Sequence, residues 1–297
     1  MGDLKFQERV ENLRLAEKGA KISIIAYICL SGFKLTVGYI SGSKALFADG
    51  LNNATDIVAS VAVLIGLKIS KKPADDNHTY GHFRAETIAS LVASLIMIAV
   101  GLDVFYNAIK SMIFFEAKAP NLISAATALI CSFVIYMVYR YNKHIALKIN
   151  SAGLMAAAKD NLSDAWVSIG AAVGIIASQF GMPWIDPLAA VIVGCLIIKT
   201  GWDIFLDASH NLSDGFDKTE LDMITDRIRQ MEGVLDVNSV KARSHGNVTH
   251  MDLVVFVDPH MTVIEGHAVS IAVESILNTE FEITEVMVHI EPFFNRQ

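Results

Sequence analysis

Six long apolar blocks, separated by short polar stretches, constrain this chain more than any other feature. A helix needs about 20 mostly apolar residues to cross a bilayer. Candidate spans lie at roughly 20–41, 45–69, 86–112, 121–141, 154–179 and 185–208. Helices are the required element, because an unpaired backbone group in lipid costs several kcal/mol. The chain is 53% hydrophobic and only 19% charged. Ordinary soluble domains carry about a quarter charged residues, so the excess belongs to the blocks. The expected molecule is a multi-pass protein of the cell membrane with lipid as its surroundings.

Orientation follows from Lys and Arg in the short loops. Lys5, Arg9, Arg14, Lys18 and Lys21 precede the first span. Lys71, Lys72 and Arg84 follow the second, and Arg140, Lys143 and Lys148 follow the fourth. The other side has Lys44, Lys110 and Lys118. Both termini are therefore expected in the cytoplasm. No short apolar stretch with a small-residue cleavage site opens the chain, so no signal peptide is expected. Cys29, Cys131 and Cys195 fall inside spans without CxxC spacing and read as small packing residues.

Composition changes after Asp214. The stretch from Gly215 to Gln297 has six basic against fourteen acidic residues, a net of −8, which leaves the rest near +1 because the whole chain is −7. An acidic domain argues against nucleic acid or anionic lipid as its partner. Lys218 to Met231 has helical periodicity, with Leu221, Ile224, Ile228 and Met231 on one face. Val234 to Arg243 and Met251 to Val257 read as strands, the second alternating Met251, Leu253, Val255 and Val257 with outward positions. A helix around Glu265 to Asn278 and a strand from Glu285 to Glu291 complete a helix-strand-strand-helix-strand order. That order suits a ferredoxin-like, metallochaperone-like fold. The expected organisation is a cytoplasmic segment 1–19, a six-helix transmembrane domain 20–208 and a cytoplasmic regulatory and dimerisation domain 209–297.

Ionisable residues inside spans are costly and mark function by default. Asp49, Asn52 and Asp56 share one face of the second span at i, i+3, i+7, and Asp160 and Asp164 share one face of the fifth at i, i+4. Asn161 and Ser168 sit nearby. Facing carboxylates repel, so a bound cation or protons must compensate them. Asp49 and Asn52 also lie where helix capping would place them. Asp103 and Asp203 stand alone on their helices, to pair with Lys34 or to line a water path.

The segments SGSKALFADGLNNATD, KPADDNHTYGHFRAE, AAAKDNLSDAWVS and VHIEP resemble the cation diffusion facilitator family over nearly the whole chain. The resemblance implies six transmembrane helices, a metallochaperone-like cytoplasmic domain, a homodimer, and exchange of a divalent metal for protons. It places the transport site on Asn52, Asp56, Asp160 and Asp164, with Asp49 in the flanking motif. Zinc members usually carry His where Asp160 stands, and none of the nine His lies in the core of a span. Oxygen ligands suit Mn²⁺, Mg²⁺ or Ca²⁺, whereas imidazole suits Zn²⁺. Members with this quartet look like manganese exporters, with Zn²⁺ and Fe²⁺ as the alternative ions.

The resemblance further implies a loop metal site on Asp75, His78 and His82, where His78 and His82 share a face if the segment is helical. It implies a regulatory site in the tail on His267, His289 and Glu291. One family ligand falls near Val254, which cannot bind metal, so the tail site is either reduced or completed by His245 and His250. Arg84 matches a basic residue that pairs with an acidic one after the last span, here Asp214.

A membrane-anchored metal sensor or binding scaffold is the competing reading, but a sensor needs no carboxylates at mid-membrane. No HExxH, GxSxG or phosphate loop is present, so no enzyme and no cofactor is expected.

Overall fold

The structure, a computed structural model, describes residues 2–70, 72–114, 119–149, 152–245, 248–283 and 285–294. Lys71 and Lys118, both used in the orientation argument, lie outside them. Six long helices come first: α1 (Gly2–Ser41), α2 (Lys44–Ser70), α3 (Arg84–Ile113), α4 (Leu122–Ile149), α5 (Ala152–Ser178) and α6 (Ile185–Leu212). Among the described residues, five helical stretches are long and apolar enough to cross a membrane: Lys21–Ser41, Arg84–Ile113, Leu122–Lys148, Ala157–Ser178 and Ile185–Leu212. The remaining long helix, α2, has 27 residues. Helix α1 starts at Gly2, so the charged segment before the first span is helical too.

The chain divides into two compact units. The first takes the residues up to Val61 and Ala93–Asp203. Here Tyr27 and Leu30 of α1 pack against Cys131, Ile135 and Val138 of α4 and Ala165 of α5. Small residues let backbones approach: Ala45 of α2, Ala125 and Ala128 of α4, and Ala171 and Ala172 of α5 form one buried cluster. Gly101 of α3 serves the same purpose, since a Cβ there would stand 2.7 Å from Ile198 Cγ1 of α6. Large apolar side chains such as Ile28, Phe33, Phe133, Trp166 and Ile192 point outward. An outward apolar surface of this extent is what a hydrocarbon environment selects.

The second unit takes Ala62–Val92 and the chain from Ile204 onward. Its tail portion has the element order expected from the sequence: α7 (Lys218–Arg229), β1 (Asp236–His245), β2 (Val248–Val257), α8 (Val263–Phe281) and β3 (Glu285–Pro292). Asp217 caps α7 by accepting from Glu220 N, and Thr262 with Glu265 forms a capping box at α8. The sheet order is β1-β2-β3, with β1 and β2 antiparallel and β2 and β3 parallel, α8 making the crossover. Met251, Leu253, Val255 and Val257 are buried, as their alternation predicts, against Ile224 and Ile228 of α7 and Val273 and Leu277 of α8.

Candidate metal site

Helix α5 carries Asp164, which is buried. Both of its carboxylate oxygens are engaged. Asn52 of α2 donates its amide to Oδ1 at 3.0 Å, and Tyr27 of α1 donates its hydroxyl to Oδ2 at 2.5 Å. Asp56, one turn along α2 from Asn52, keeps Oδ2 buried without a partner. Asp160 is one turn from Asp164 on α5 and is exposed. The charges of Asp56, Asp160 and Asp164 act on one another. These carboxylates are not drawn to a single point: the only trio of metal-type side chains with ligand atoms within 4.8 Å of one another, among the described residues, lies elsewhere.

Asp49 faces a different partner. The Lys34 ammonium of α1 donates to Asp49 Oδ1 at 2.9 Å, Asn53 Oδ1 at 2.6 Å and Ser168 Oγ at 2.8 Å. All three of its protons are thereby used. The pair is sealed from solvent, at 1% and 0% side-chain exposure. Lys34 thus joins α1, α2 and α5, and it does not pair with Asp103 or Asp203, both of which are exposed. Asn161 turns to Ser23 of α1 at 3.1 Å and takes part in helix packing. Tyr27 escaped the sequence reading, although Tyr27 and Lys34 stand at i, i+7 and so share a face of α1.

The close trio is Asp75, His78 and His82. His78 Nδ1 stands 3.0 Å from Asp75 Oδ1, and His82 Nε2 stands 3.4 Å from Asp75 Oδ2. The two rings lie 4.2 Å apart. No helix does this, since α3 begins only at Arg84. An Asx turn does it: Asp75 Oδ1 accepts from the backbone N–H groups of Asn77 and His78. Slight desolvation of Asp75 is outweighed by hydrogen bonds from the His78 ring and from those backbone groups, which hold its carboxyl below the ordinary range. Asp75 is therefore ionised and acceptor-only at neutral pH.

The tail candidates do not form one group. His289 and Glu291 lie on one side of β3, 3.6 Å apart, and the register sets Val254 opposite His289. His267 is exposed on α8. His245 ends β1 opposite Val248, and His250 lies near the start of β2, where it pairs with Glu285. Their rings are 4.6 Å apart, with Tyr80 edge-on to both. Burial pushes the His245 imidazole below its ordinary value, and Arg84, His250 and Arg243 push it further. A cationic, dry setting of that kind suits neutral imidazole, and no third ligand joins the pair among the described residues.

Arg84 forms an ion pair with Asp214. Both side chains are more than a third exposed. Arg84→Ala should therefore cost no more than about 1 kcal/mol of stability, measured as the shift in thermal unfolding of the purified chain.

Comparison with known proteins agrees over most of the chain. Residues 20–213 match the cation efflux transmembrane domain, and residues 216–293 match the cation efflux protein cytoplasmic domain. The chain is 52% identical to the uncharacterized transporter YdbO of Bacillus subtilis, over 96% of this chain and 98% of that one. It is 48% identical to the manganese efflux system protein MneS of the same organism, with the same coverage. It is 33% identical to the magnetosome protein MamB of Magnetospirillum gryphiswaldense, over 86% of each chain. With both its membrane and cytoplasmic parts matched, the chain belongs to the cation efflux family, a family of divalent metal transporters.

Proposed function

We propose that this protein exports Mn²⁺ from the cytoplasm in exchange for protons, using Asn52, Asp56, Asp160 and Asp164 as the transport site. The observation that carries this reading is the oxygen-only donor set that α2 and α5 present around the buried Asp164. Without imidazole or thiolate, the site withholds the ligands that let Zn²⁺ outcompete Mn²⁺. The manganese efflux relative at 48% identity supports the same ion. The buried carboxylate oxygens of Asp56 and Asp164, with the Asp160 charge one turn away, must be neutralised by a dication or by protons. Alternation between those two states is antiport, and an inward proton gradient then drives metal outward.

In this reading α2 is the sixth membrane-spanning helix and both termini face the cytoplasm. The chain divides into a segment 1–19, a transmembrane domain 20–208 and a cytoplasmic domain 209–297. The order α7-β1-β2-α8-β3 supports a ferredoxin-like tail, and the tail's match to the family's cytoplasmic domain supports a homodimer. Asp75, His78 and His82 form a second, cytoplasmic metal site, whose mixed nitrogen and oxygen donors accept Zn²⁺ or Mn²⁺. His289, Glu291 and His267 form at most a reduced tail site, while His245 and His250 stand apart from it.

Asp160 is the position at which metal preference should turn. Asp160→His supplies imidazole and should move competitive uptake toward Zn²⁺ by roughly 10-fold or more, the scale of about 1.4 kcal/mol of differential binding. Asn52→Asp should retain divalent transport with altered selectivity or proton dependence. The test is uptake of Mn²⁺, Fe²⁺, Zn²⁺ and Cd²⁺ in competition into proteoliposomes. A wild type that already prefers Zn²⁺, or an Asp160→His variant with unchanged preference, contradicts this account of selectivity.

A further inference from the structure

We propose that Tyr27 of α1 is a positioning residue of the transport site, fixing Asp164 so that it meets the ion through Oδ1 alone. The inference rests on the assignment of Asp164 to that site. A carboxylate has two oxygens, and here a different helix claims each: Tyr27 Oη on Oδ2 at 2.5 Å and Asn52 Nδ2 on Oδ1 at 3.0 Å. The two bonds differ in what an ion does to them.

Asn52 can ligate only through its carbonyl oxygen, because its amide nitrogen has no lone pair to give. Loading the site therefore requires Asn52 to turn its amide away from Asp164, which frees Oδ1. Tyr27 has no such reason to move. Its ring is held among Leu30, Cys131, Ile135, Val138 and Ala165, and its hydroxyl still has a carboxylate oxygen to serve. The phenol bond then outlasts loading and fixes the rotation of the carboxylate. Asn52 is the exchangeable partner and Tyr27 the permanent one.

Partners of this kind, one bond out from the ion, orient ligands and typically contribute about 10–100-fold in metal affinity or activity. They act on binding, because the geometry they fix is that of the loaded site. Helix α1 thereby becomes part of the ion site without contributing a ligand. It also explains why a polar oxygen sits in an otherwise apolar cluster, where an unpaired hydroxyl would be a liability.

The experiment is the concentration dependence of Mn²⁺ flux in proteoliposomes of the full-length protein, for wild type, Tyr27→Phe and Asp164→Asn. Phenylalanine keeps the ring in its cluster, so thermal unfolding in detergent checks that the fold survives. The expected result is a half-saturating Mn²⁺ concentration raised on the order of 10–100-fold in Tyr27→Phe, with maximal flux at saturation kept. Two results overturn the proposal while leaving the site intact, in each case with Asp164→Asn inactive. One is a half-saturation unchanged in Tyr27→Phe. The other is a maximal flux that falls with half-saturation unchanged, which would place Tyr27 in helix movement instead of ligand orientation. Wild-type flux in Asp164→Asn would overturn the site assignment itself.

Discussion

Asp56→Ala should abolish Mn²⁺ transport while leaving the protein at least as stable as wild type. Asp56 Oδ2 is buried without a hydrogen-bond partner. A buried unsatisfied carboxylate oxygen is a liability that folding alone would remove. A role as a metal donor accounts for keeping such a group. Losing it removes a direct oxygen donor, so flux should fall by more than the about 10–100-fold that indirect partners contribute. Removing the charge also relieves its repulsion with Asp160 and Asp164. The check pairs proteoliposome flux with thermal unfolding in detergent. Loss of flux together with a lower unfolding midpoint would instead make Asp56 a structural residue. Asp164→Ala should likewise abolish flux, but it strands the Tyr27 hydroxyl and the Asn52 amide and should also cost about 1–3 kcal/mol.

The second large effect concerns Lys34. Lys34→Met should destabilise the membrane part by about 3–5 kcal/mol, because it leaves the Asp49 carboxylate buried without its counter-charge. The ammonium holds Asp49, Asn53 and Ser168 at once, so three elements lose a common tie. Lys34→Met combined with Asp49→Leu should recover most of the loss, since replacing both members of a buried pair by apolar residues is often neutral or better. Denaturant or thermal unfolding of the four variants in one detergent measures the coupling. A double variant as unstable as the single would mean that Lys34 acts through Asn53 and Ser168 alone. Ser168 lies one turn beyond Asp164 on α5, and Asn53 directly follows Asn52 on α2. The tie therefore sets the spacing of the two helices that carry the donors, and transport by Lys34→Met should fall even where it remains folded.

Patterning made most of this fold legible in advance. Length and apolarity located the long helices, because a helix pairs all its backbone groups within one segment and needs about 20 apolar residues to span lipid. The alternation from Met251 to Val257 located a half-buried strand, and the 3.6-residue period around Ile224 and Ile228 located α7. Spacing on a helix face grouped Asn52 with Asp56 and Asp160 with Asp164, of which the structure joins Asn52 to Asp164 and leaves Asp160 exposed. What spacing within one helix does not reveal is which side chains of other helices meet that face. Tyr27 became visible only when α1 was seen against α5, and the partner of Lys34 proved to be Asp49 rather than the isolated Asp103 or Asp203. The loop cluster was found by residue type, but its geometry comes from an Asx turn at Asp75 and not from helical spacing of His78 and His82. In the tail, residue type alone did not place His245 and His250: His250 lies four residues along β2 from Val254, and His245, at the end of β1, pairs with Val248, so both stand away from His289 and Glu291.

The central claim, metal moved by exchange for protons at an oxygen-only site, comes down to one measurement. Full-length protein is reconstituted into liposomes, and Mn²⁺ flux is followed with a pH gradient imposed and then collapsed by a protonophore and potassium ionophore. A gradient should drive Mn²⁺ uphill, counter-movement of protons should accompany it, and collapse should stop uphill flux. Mn²⁺ flux of the same rate and extent with and without the gradient would contradict it.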